Sequence, residues 1–413
     1  MDEHLIGIGT EGFDREYEWM VRRLWHFSNR MTDLVDMSTV LDSILTEVRS
    51  ATAADAGTIY IVEQKRLRFA YVQNDTLFKS RPGNVQNYVN VMLPVDESSI
   101  VGYAAVTKKP LNISNVECLS PAAPYQFNRT FDEANGYHTI SMLTVPIVRL
   151  GGDTIAVIQL INCKGPDGEV QNFSQQAQTY AELLSIQALA AIERALTTYR
   201  LIERMIQMVA VHDPLETGRH AQRVGAYSAE IYVYWAEKRG IESAEIRDTR
   251  DKLRLAAMLH DIGKIAIPGS ILKKPGPLTR KEREVIQTHC VLGASIYSQM
   301  KNESLLEEMA YLVTLHHHQK WDGTGYTGSA DVPLLKGEEI PLSARVVAVA
   351  DMLDALISKR CYKDAWPFDA SFAEVERLSG THFDPEIVEA LLEVRETIIA
   401  VNARYPDSDV LDT

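Results

Sequence analysis

The pattern of apolar and polar positions changes along the chain, and each change predicts a different kind of structure. Over residues 14–50 apolar side chains recur three and four positions apart, the spacing of a helix with one buried face. Farther on, short β-branched runs are separated by Gly, Asp and Pro, which is typical of strands. These runs are GTIYIV, RLRFAYV, VNVMLPV, TVPIV and TIAVIQLI. We expect an antiparallel sheet with helices before and after it, in an α+β domain that ends near Asn162.

A long segment without helix breakers follows the predicted sheet. From Ser174 to about Asp213 the chain contains no Pro or Gly. A three- and four-residue spacing, typical of a coiled-coil seam, relates Ile192, Ala195, Tyr199, Ile202, Ile206 and Val209. This helix either packs on its own domain or forms a parallel dimer stalk between two domains, and we favour the stalk.

The remaining chain, from Pro214, has a helical pattern with loops at 263–279 and 319–341. A length of 413 residues predicts two domains joined by a connector. No stretch reaches the ~18 unbroken apolar residues of a membrane span, and the first residues lack the features of a secretory signal. The four cysteines are scattered without a CxxC pair, as is usual in a reducing cytosol. We expect a cytoplasmic protein that has no membrane partner.

The overall charge narrows the class of ligand. A formal net charge of −14 argues against a nucleic acid polymer as partner, because such binding depends on basic surface. A small phosphate ligand remains compatible with this charge, since bound metal ions supply positive charge locally.

Histidines and carboxylates recur in the C-terminal half at positions where apolar residues would cost less. His260 and Asp261 interrupt the apolar helix of LRLAAMLHDIGK, and Asp351 interrupts that of SARVVAVADMLDALIS. A buried carboxylate needs a cation or a change of protonation, and a single one is usually explained by a salt bridge. The same half also contains Glu216, His220, His289, His316, His317 and His318. Histidine and carboxylate without cysteine are typical of iron or manganese, and a set this large suits two or three ions.

Three segments of the N-terminal half carry a family resemblance, namely SIVGYAAVTKKPLNISNV, GYHTISMLTVPIV and GDTIAVIQLINCKGPDG. With them the chain resembles GAF domains over roughly residues 30–195. It implies a sensor for a small molecule that stays unknown. The NKxxF…DE signature of the cyclic-nucleotide-binding members is matched only at Asn172-Phe173, and Ala177-Gln178 stand at its acidic pair. Cys118 and Cys163 are better explained by packing than by a cofactor.

A series of motifs follows in the C-terminal half: TGRHAQRV, LHDIGKIAIP, ILKKPGPLT, the histidine run with WDGTGY, KGEEIPLSARVVAVAD, DALISKRCYK and GTHFDPEIV. In this order they resemble HD-GYP domains, and the resemblance covers about residues 205–400. The resemblance implies metal ligands at Glu216, His220, His260, Asp261, His289, His317, His318 and Asp351. An acidic residue at the Glu216 position accompanies a third metal in that family, which favours three ions over two. Iron is the expected metal, with manganese as the substitute, and His316 is expected behind the ligands or exposed.

The two resemblances together predict a multidomain protein. An α+β GAF domain, with an antiparallel sheet flanked by helices, is joined by a long helix to an all-α HD-type domain. We expect a leader helix at 1–29, the GAF domain at 30–173, a connecting helix and dimer coiled coil at 174–213, the HD-GYP domain at 214–400 and a tail at 401–413.

The HD-GYP resemblance implies hydrolysis of cyclic di-GMP to linear pGpG, and leaves open whether hydrolysis stops there or continues to GMP. A hydroxide that bridges two metals would attack phosphorus in line, while His260 and Asp261 hold the ions. Lys264, one turn after Asp261, would add positive charge at the phosphate. Arg360 and Lys363 match the family's contacts to substrate phosphate and guanine, and Tyr326 is expected to stack on the ligand or hydrogen-bond to it. Ligand binding by the GAF domain is expected to control this activity through the connecting helix.

Some positions depart from the family's pattern without removing a ligand. The naming triplet Gly-Tyr-Pro is Gly325-Tyr326-Thr327 here, and loss of the proline is expected to loosen the loop. The loop that follows is longer, through GSADVPLL, and Gln319-Lys320 replace the more usual Glu-Arg. The charged segment GIESAEIRDTRDK is expected to be a surface loop or a helix extension. Two alternatives stay open: a cyclic-dinucleotide receptor or scaffold with little turnover, and an HD phosphohydrolase for another nucleotide such as cyclic GMP-AMP.

Overall fold

The computed structural model describes residues 10–31, 37–78, 92–213, 217–298, 305–358 and 365–406. The chain separates into two compact units, residues 1–197 and 198–413. The first is built on an antiparallel sheet and the second is helical.

The sheet of the first unit has the strand order β3-β2-β1-β6-β5-β4, and a short strand β7 pairs with β6. The strands are β1 Ala54–Glu63, β2 Arg66–Asn74, β3 Met92–Pro94, β4 Leu111–Ile113, β5 Met142–Val148, β6 Thr154–Lys164 and β7 Val170–Gln171. All paired strands run antiparallel. The five predicted runs all contain strand, whereas β4 and β7 were not predicted, because two or three residues are too few to show an alternation.

Helices cover both faces of this sheet. They are α1 Thr10–Met31, α2 Met37–Thr52, α3 Asp75–Phe78, α4 Ile100–Thr107, α5 Thr130–Asn135 and the start of α6 Gln175–His212. Apolar side chains of α1, α2 and α6 form one core with β1, β5 and β6. Residues of α4 pack on the opposite face, against Tyr60 and Val157. The helix predicted over 14–50 consists of α1 and α2, and residues 32–36 lie outside the described chain.

The long helix α6 spans the segment that was predicted to be free of helix breakers. Its predicted seam is covered by the chain itself: Ile192 and Ala195 are buried in the core of the first unit, and Val209 in that of the second. Exposed apolar residues of α6 lie at other positions, namely Leu183, Ile186, Leu201, Met208 and Val211. A dimer formed through this helix would therefore use a different stripe from the one that the spacing suggested.

The second unit is a helical bundle. Its helices are α7 Gly218–Lys238, α8 Ser243–Met258, α9 Gly269–Leu272, α10 Arg280–Gln287, α11 His289–Ser298, α12 Leu305–His316, α13 Leu342–Ile357, α14 Phe368–Arg377, α15 Pro385–Glu393 and α16 Arg395–Arg404. The core is built around α7 and α13, whose Val, Ala, Leu and Tyr side chains are buried. The charged segment after residue 240 forms most of α8, so the helix extension is the correct alternative.

Candidate metal centre

Seven of the eight predicted metal ligands form two groups in the helical unit. The groups are His220, His260 and Asp351, and Asp261, His289, His317 and His318. Within each group the donor atoms lie within 4.8 Å of one another. Glu216, the eighth predicted ligand, lies outside the described residues, as do Arg360 and Lys363.

The first of these ligands are placed at helix ends. The hydroxyl of Thr217 caps α7 by accepting the His220 amide at 3.1 Å, so His220 lies in the first turn. Because α8 ends at Met258, His260 and Asp261 lie in the turn that follows. The prediction that this pair interrupts a helix is therefore wrong, because the helix ends before the pair and both residues lie in the turn that follows.

Close backbone packing brings Asp261 to the other ligands. A 3-10 helix, Ile262–Ala266, follows Asp261 directly and crosses α11 at Gly263. A Cβ at Gly263 would lie 2.0 Å from the carbonyl oxygen of His289, so only glycine allows this approach. His289 begins α11, and His317 and His318 follow the last residue of α12. The crossing therefore sets the separation of Asp261 and His289.

Asp261 lies between the two groups. Its Oδ1 is 3.1 Å from Nε2 of His289 and 3.7 Å from Nε2 of His317, while its Oδ2 is 3.2 Å from Nε2 of His260. Asp351, within α13, completes the first group, with Oδ1 at 3.5 Å from Nε2 of His220 and 3.8 Å from that of His260. One carboxylate thus faces histidines of both groups, the arrangement that a bridging ligand requires.

Backbone carbonyls orient three of the histidines. Nδ1 of His260 contacts the carbonyl oxygen of Ala257 at 2.8 Å, and Nδ1 of His289 contacts that of Ile286 at 2.7 Å. Nδ1 of His317 lies 3.0 Å from the carbonyl oxygen of Val313. A carbonyl only accepts, so Nδ1 carries the proton in each ring and Nε2 is directed at the site. Metal-binding histidines are held in the same way by their second nitrogen.

The electrostatics of the site favour a cation. Burial raises the pKa of Asp261, but Lys264 and His260 outweigh it and hold that pKa well below its usual value. Burial lowers the pKa of His289, and the Asp261 carboxylate then raises it to about 10. Burial holds the pKa of His318 well below its usual value. Asp261 is therefore ionised and recruits positive charge, which a metal ion would supply in place of a proton.

Buried polar atoms without a partner support the same interpretation. Among the described residues, Asp261 Oδ1 and His317 Nε2 are buried and make no hydrogen bond of regular geometry, although Asp261 Oδ1 lies 3.1 Å from Nε2 of His289. Such atoms are rare in folded proteins and point to an ion or a water. Imidazole and carboxylate donors match iron, manganese and similar divalent ions. The residues present therefore fit the metal ions that the sequence predicts.

Lys264 is largely buried and faces carboxylates. Its Nζ lies 2.9 Å from Oδ2 of Asp261 and 3.6 Å from Oδ2 of Asp213. Asp213, which directly follows α6, was not predicted as part of the site. Asp213 is only 2% exposed, and this burial is what marks it as part of the site. Burial is hard to infer from sequence for a residue at a helix end.

The loop after the histidine run borders the site. The ring of Tyr326 stacks on that of His318, with centroids 4.7 Å apart and an angle of 29°. Thr327 is buried, and its hydroxyl contacts the carbonyl oxygens of Ser329 at 3.1 Å and Val332 at 3.4 Å. These contacts restrain the loop locally, which argues against the expectation that threonine loosens it.

His316 is buried behind the ligand pair rather than exposed. Its Nδ1 contacts Nε2 of Gln319 at 2.7 Å, and Oε1 of Gln319 accepts the amide of Leu335 at 2.7 Å. Gln319, one of the departures from the family's pattern, thus connects the histidine run to the long loop.

Sequence reasoning missed a buried network behind His220. Nδ1 of His220 lies 2.8 Å from Oδ2 of Asp354, and Nε of Arg223 lies 2.6 Å from Oδ1. Burial raises the pKa of Asp354, but His220 and Arg223 lower it to about 2. The argument that identified Asp351, a carboxylate in an apolar helix, applies equally to Asp354 and would have found it.

Comparisons with known proteins agree with this division of the chain. Residues 36–192 match the GAF domain family and residues 203–387 match the HD domain family. The chain therefore contains a GAF domain followed by a helical HD domain, and the predicted fold class is confirmed. The predicted domain boundaries stay predictions.

Curated relatives match about half of the chain. The chain is 40% identical over 205 residues to the cyclic di-GMP phosphodiesterase of Thermotoga maritima, which covers 50% of this chain and 52% of that protein. It is also 40% identical over 192 residues to 3'3'-cGAMP-specific phosphodiesterase 2 of Vibrio cholerae, covering 46% of this chain and 34% of that protein. The chain thus spans about half the length, or less, of these relatives.

A solved structure of a GAF domain also matches part of the chain. The crystal structure of the GAF domain from an Acinetobacter phosphoenolpyruvate-protein phosphotransferase covers 44% of this chain and 98% of its own, with 17% identity and a TM-score of 0.35. Within the described residues, no helix has the length and apolar character needed to cross a membrane.

Proposed function

We propose that the chain is a metal-dependent phosphodiesterase that hydrolyses cyclic di-GMP to linear pGpG, with a second cut to GMP. The observation that carries the proposal is the position of Asp261 between two groups of histidine and carboxylate donors. The cyclic di-GMP phosphodiesterase named above, 40% identical over 205 residues, supports this substrate. The first cut adds one water and breaks one P–O bond of the ring, and the second adds another water and breaks the remaining internucleotide P–O bond of linear pGpG.

The proposed roles rest on the geometry of the described ligands and, for Glu216, Arg360 and Lys363, on the resemblance in sequence. Two or three metal ions held by these groups, iron in the first place and manganese as a substitute, would activate a water and neutralise charge on the phosphoryl oxygens. Asp261 orients toward both groups, and Lys264 keeps a positive charge 2.9 Å from it, next to the reacting phosphate. The Tyr326 ring offers a face for a guanine base. Glu216 is proposed as a ligand for a third ion, and Arg360 and Lys363 as contacts to the substrate.

The proposed function is tested by a metal and turnover measurement on one pair of variants. The chain is purified without oxygen, its metal content is determined, and cyclic di-GMP hydrolysis is followed for wild type and for His260→Ala-Asp261→Ala. We expect bound metal and turnover in the wild type, and loss of both in the double variant. His138→Ala, an exposed histidine of the GAF domain, serves as the control and should behave as wild type. A metal-loaded wild type without turnover would instead favour a cyclic-dinucleotide receptor.

Cyclic GMP-AMP is a second candidate substrate. The supporting observation is the Vibrio cholerae relative named for this dinucleotide, which is as similar to the chain as the cyclic di-GMP enzyme is. Comparing kcat/KM for cyclic di-GMP, cyclic GMP-AMP and guanosine polyphosphates decides between them. A preference of more than tenfold, equal to about 1.4 kcal/mol, identifies the substrate.

We also propose that the GAF domain regulates hydrolysis by binding a small molecule, and that two copies of the chain associate through α6. The exposed apolar residues Leu183 and Ile186 support a contact with a second copy, whereas the buried Ile192 and Ala195 do not. Ile186→Glu should therefore shift the chain from dimer to monomer in light scattering, and an unchanged mass would contradict this contact. A cytoplasmic location stays a prediction.

A further inference from the structure

His220 is oriented by a side chain rather than by the backbone. At His260, His289 and His317 the partner of Nδ1 is a carbonyl oxygen. At His220 it is a carboxylate, because Oδ2 of Asp354 lies 2.8 Å from Nδ1. An ionised carboxylate only accepts hydrogen bonds, so it places the proton on Nδ1 and leaves the Nε2 lone pair directed at Asp351, 3.5 Å away.

Asp354 is itself held in place on every side. It has 0% exposure, and Arg223, also buried, donates from Nε to Oδ1 at 2.6 Å and from Nη2 to Oδ2 at 3.0 Å. The hydroxyl of Ser358 donates to Oδ2 at 3.1 Å. Arg223 further donates to the carbonyl oxygen of Tyr405 at 2.9 Å, so its own position is restrained from the C-terminal side. Two fixed donors thus prevent the Asp354 carboxylate from turning away from His220.

We infer that Asp354 is a positioning residue for the metal ion held by His220, His260 and Asp351, an inference that rests on the proposed function. It touches neither the ion nor the substrate. It acts by fixing which nitrogen of His220 carries the proton and by making Nε2 a stronger electron-pair donor to the metal ion. A carboxylate in this position behind a histidine ligand is worth a factor of about 10–100 in metal affinity.

Asp354→Asn tests this role because asparagine keeps the shape of the side chain but removes its negative charge. The Oδ2 position accepts from His220, Arg223 and Ser358, so the asparagine carbonyl oxygen takes this position and its NH2 group faces Nε of Arg223. A neutral amide is a weaker acceptor than a carboxylate, so it makes Nε2 of His220 a weaker ligand and holds the ring less firmly. We expect one class of Mn²⁺ sites in the full chain to weaken by roughly 10–100-fold, while the sites of the Asp261 group keep their affinity. Calorimetric titration of the metal-free protein with Mn²⁺ measures both.

Asp384→Asn is the matched control for a purely structural effect. Asp384 is also a buried aspartate of the HD domain paired with an arginine, Arg345, and it caps α15. Its loss should lower the melting temperature without changing Mn²⁺ affinity. Equal Mn²⁺ affinities in Asp354→Asn and wild type would overturn the inference about Asp354 but leave the proposed function intact. A wild type that binds no Mn²⁺ would overturn the proposed function as well.

A measurement on the unmodified chain covers the case in which Asp354→Asn fails to fold. Nitrogen-15 NMR of the metal-free wild type, with the signal of His220 assigned by its loss in His220→Gln, reports which ring nitrogen is protonated. A proton on Nδ1 supports the inference. A proton on Nε2 of a neutral ring contradicts it.

Discussion

The ligand histidines differ in how their orientation is secured. The Nδ1 partners of His260, His289 and His317 are carbonyl oxygens one turn earlier in the chain, which no side-chain substitution can remove. These three rings therefore keep their orientation as long as the local turn forms. The orientation of His220 depends instead on the side chain of Asp354, 134 residues later in the chain. A single substitution there is therefore expected to weaken the group of His220, His260 and Asp351.

Glu47 is a buried charged residue of the GAF domain that, like Asp354, is paired with arginine. Its Oε2 lies 2.5 Å from Nη2 of Arg30, its Oε1 accepts the hydroxyl of Tyr180 at 2.8 Å, and Arg23 contacts the same oxygen. The carboxylate thereby connects α1, α2 and α6. Burial raises the pKa of Glu47, but the hydrogen bonds from Arg23 and Tyr180 lower it by more.

Glu47→Gln should lower the free energy of unfolding by about 1–3 kcal/mol at pH 7, because it removes charge-assisted hydrogen bonds. A lowered folded-state pKa means that the carboxylate stabilises the fold above the unfolded pKa of about 4.3 and loses this effect as pH falls through the folded value. The gap between wild type and variant should therefore be constant at neutral pH and close below about pH 4. Urea titrations followed by the fluorescence of Trp19 and Trp25 measure it.

A surface pair provides the comparison for Glu47. Glu63 pairs with Arg68 at 2.9 Å but is partly exposed, so Glu63→Gln should cost less than about 1 kcal/mol. Equal losses in the two variants, or a gap that persists at low pH, would show that the Glu47 charge is not the cause.

The sequence identified the ligand residues but not the atoms that orient them. Ligand types recur in motifs, whereas a carbonyl acceptor such as that of Ile286 exists at every residue and carries no sequence signal. Asp213 and Gln319 were missed or underrated for a related reason: their importance comes from contacts with Lys264 and Leu335, far away in the chain. Burial of a polar residue next to a motif is the feature that separates them from surface residues.

At the scale of elements, long regular segments were predictable and junctions were not. The strands β1, β2 and β6 have nine or more residues and show their period, whereas β4 has three. The end of α8 was placed too late because its apolar pattern continues into the turn of His260. Such a boundary depends on tertiary contacts, here the crossing of Gly263 over α11.

The loop that contains Tyr326 depends on a second close approach, at Gly328. Its φ is +81°, and a Cβ there would lie 2.1 Å from the carbonyl oxygen of Gln287, two residues before His289. Gly328→Ala must therefore shift the start of α11 or the loop itself. We expect hydrolysis to fall by about 100-fold, the effect of displacing a reacting group by about 1 Å.

Gly276→Ala is the control for Gly328→Ala in the same kinetic assay. Gly276 also has a positive φ, +139°, but no atom lies within 4 Å of its Cβ position. Both variants carry backbone strain, and Gly328→Ala alone should reduce kcat/KM strongly. Similar kinetics for the two variants would contradict a role of the loop in positioning His289.

At the scale of the whole molecule, α6 is the covalent link between the GAF domain and the HD domain. The helix runs for 38 residues and contributes Ile192 and Ala195 to the core of the first unit and Val209 to that of the second. Asp213 follows its last residue and contacts Lys264 of the site. The proposed regulation requires that a change at the GAF end of this helix reach the metal centre through a continuous α6.

Ala195→Pro should remove this coupling, because proline inside a helix deletes a hydrogen bond and costs about 3 kcal/mol or more. The GAF ligand is unknown, so Glu47→Gln serves as the perturbation of the sensor. We expect Glu47→Gln to change kcat/KM about fivefold or more when α6 is intact, the lower range of allosteric coupling, and to have no effect in the Ala195→Pro background. Gln175→Pro, at the first position of the same helix, where proline is tolerated, should preserve the effect of Glu47→Gln. An equal effect of Glu47→Gln in all three backgrounds would show that α6 does not transmit the state of the GAF domain.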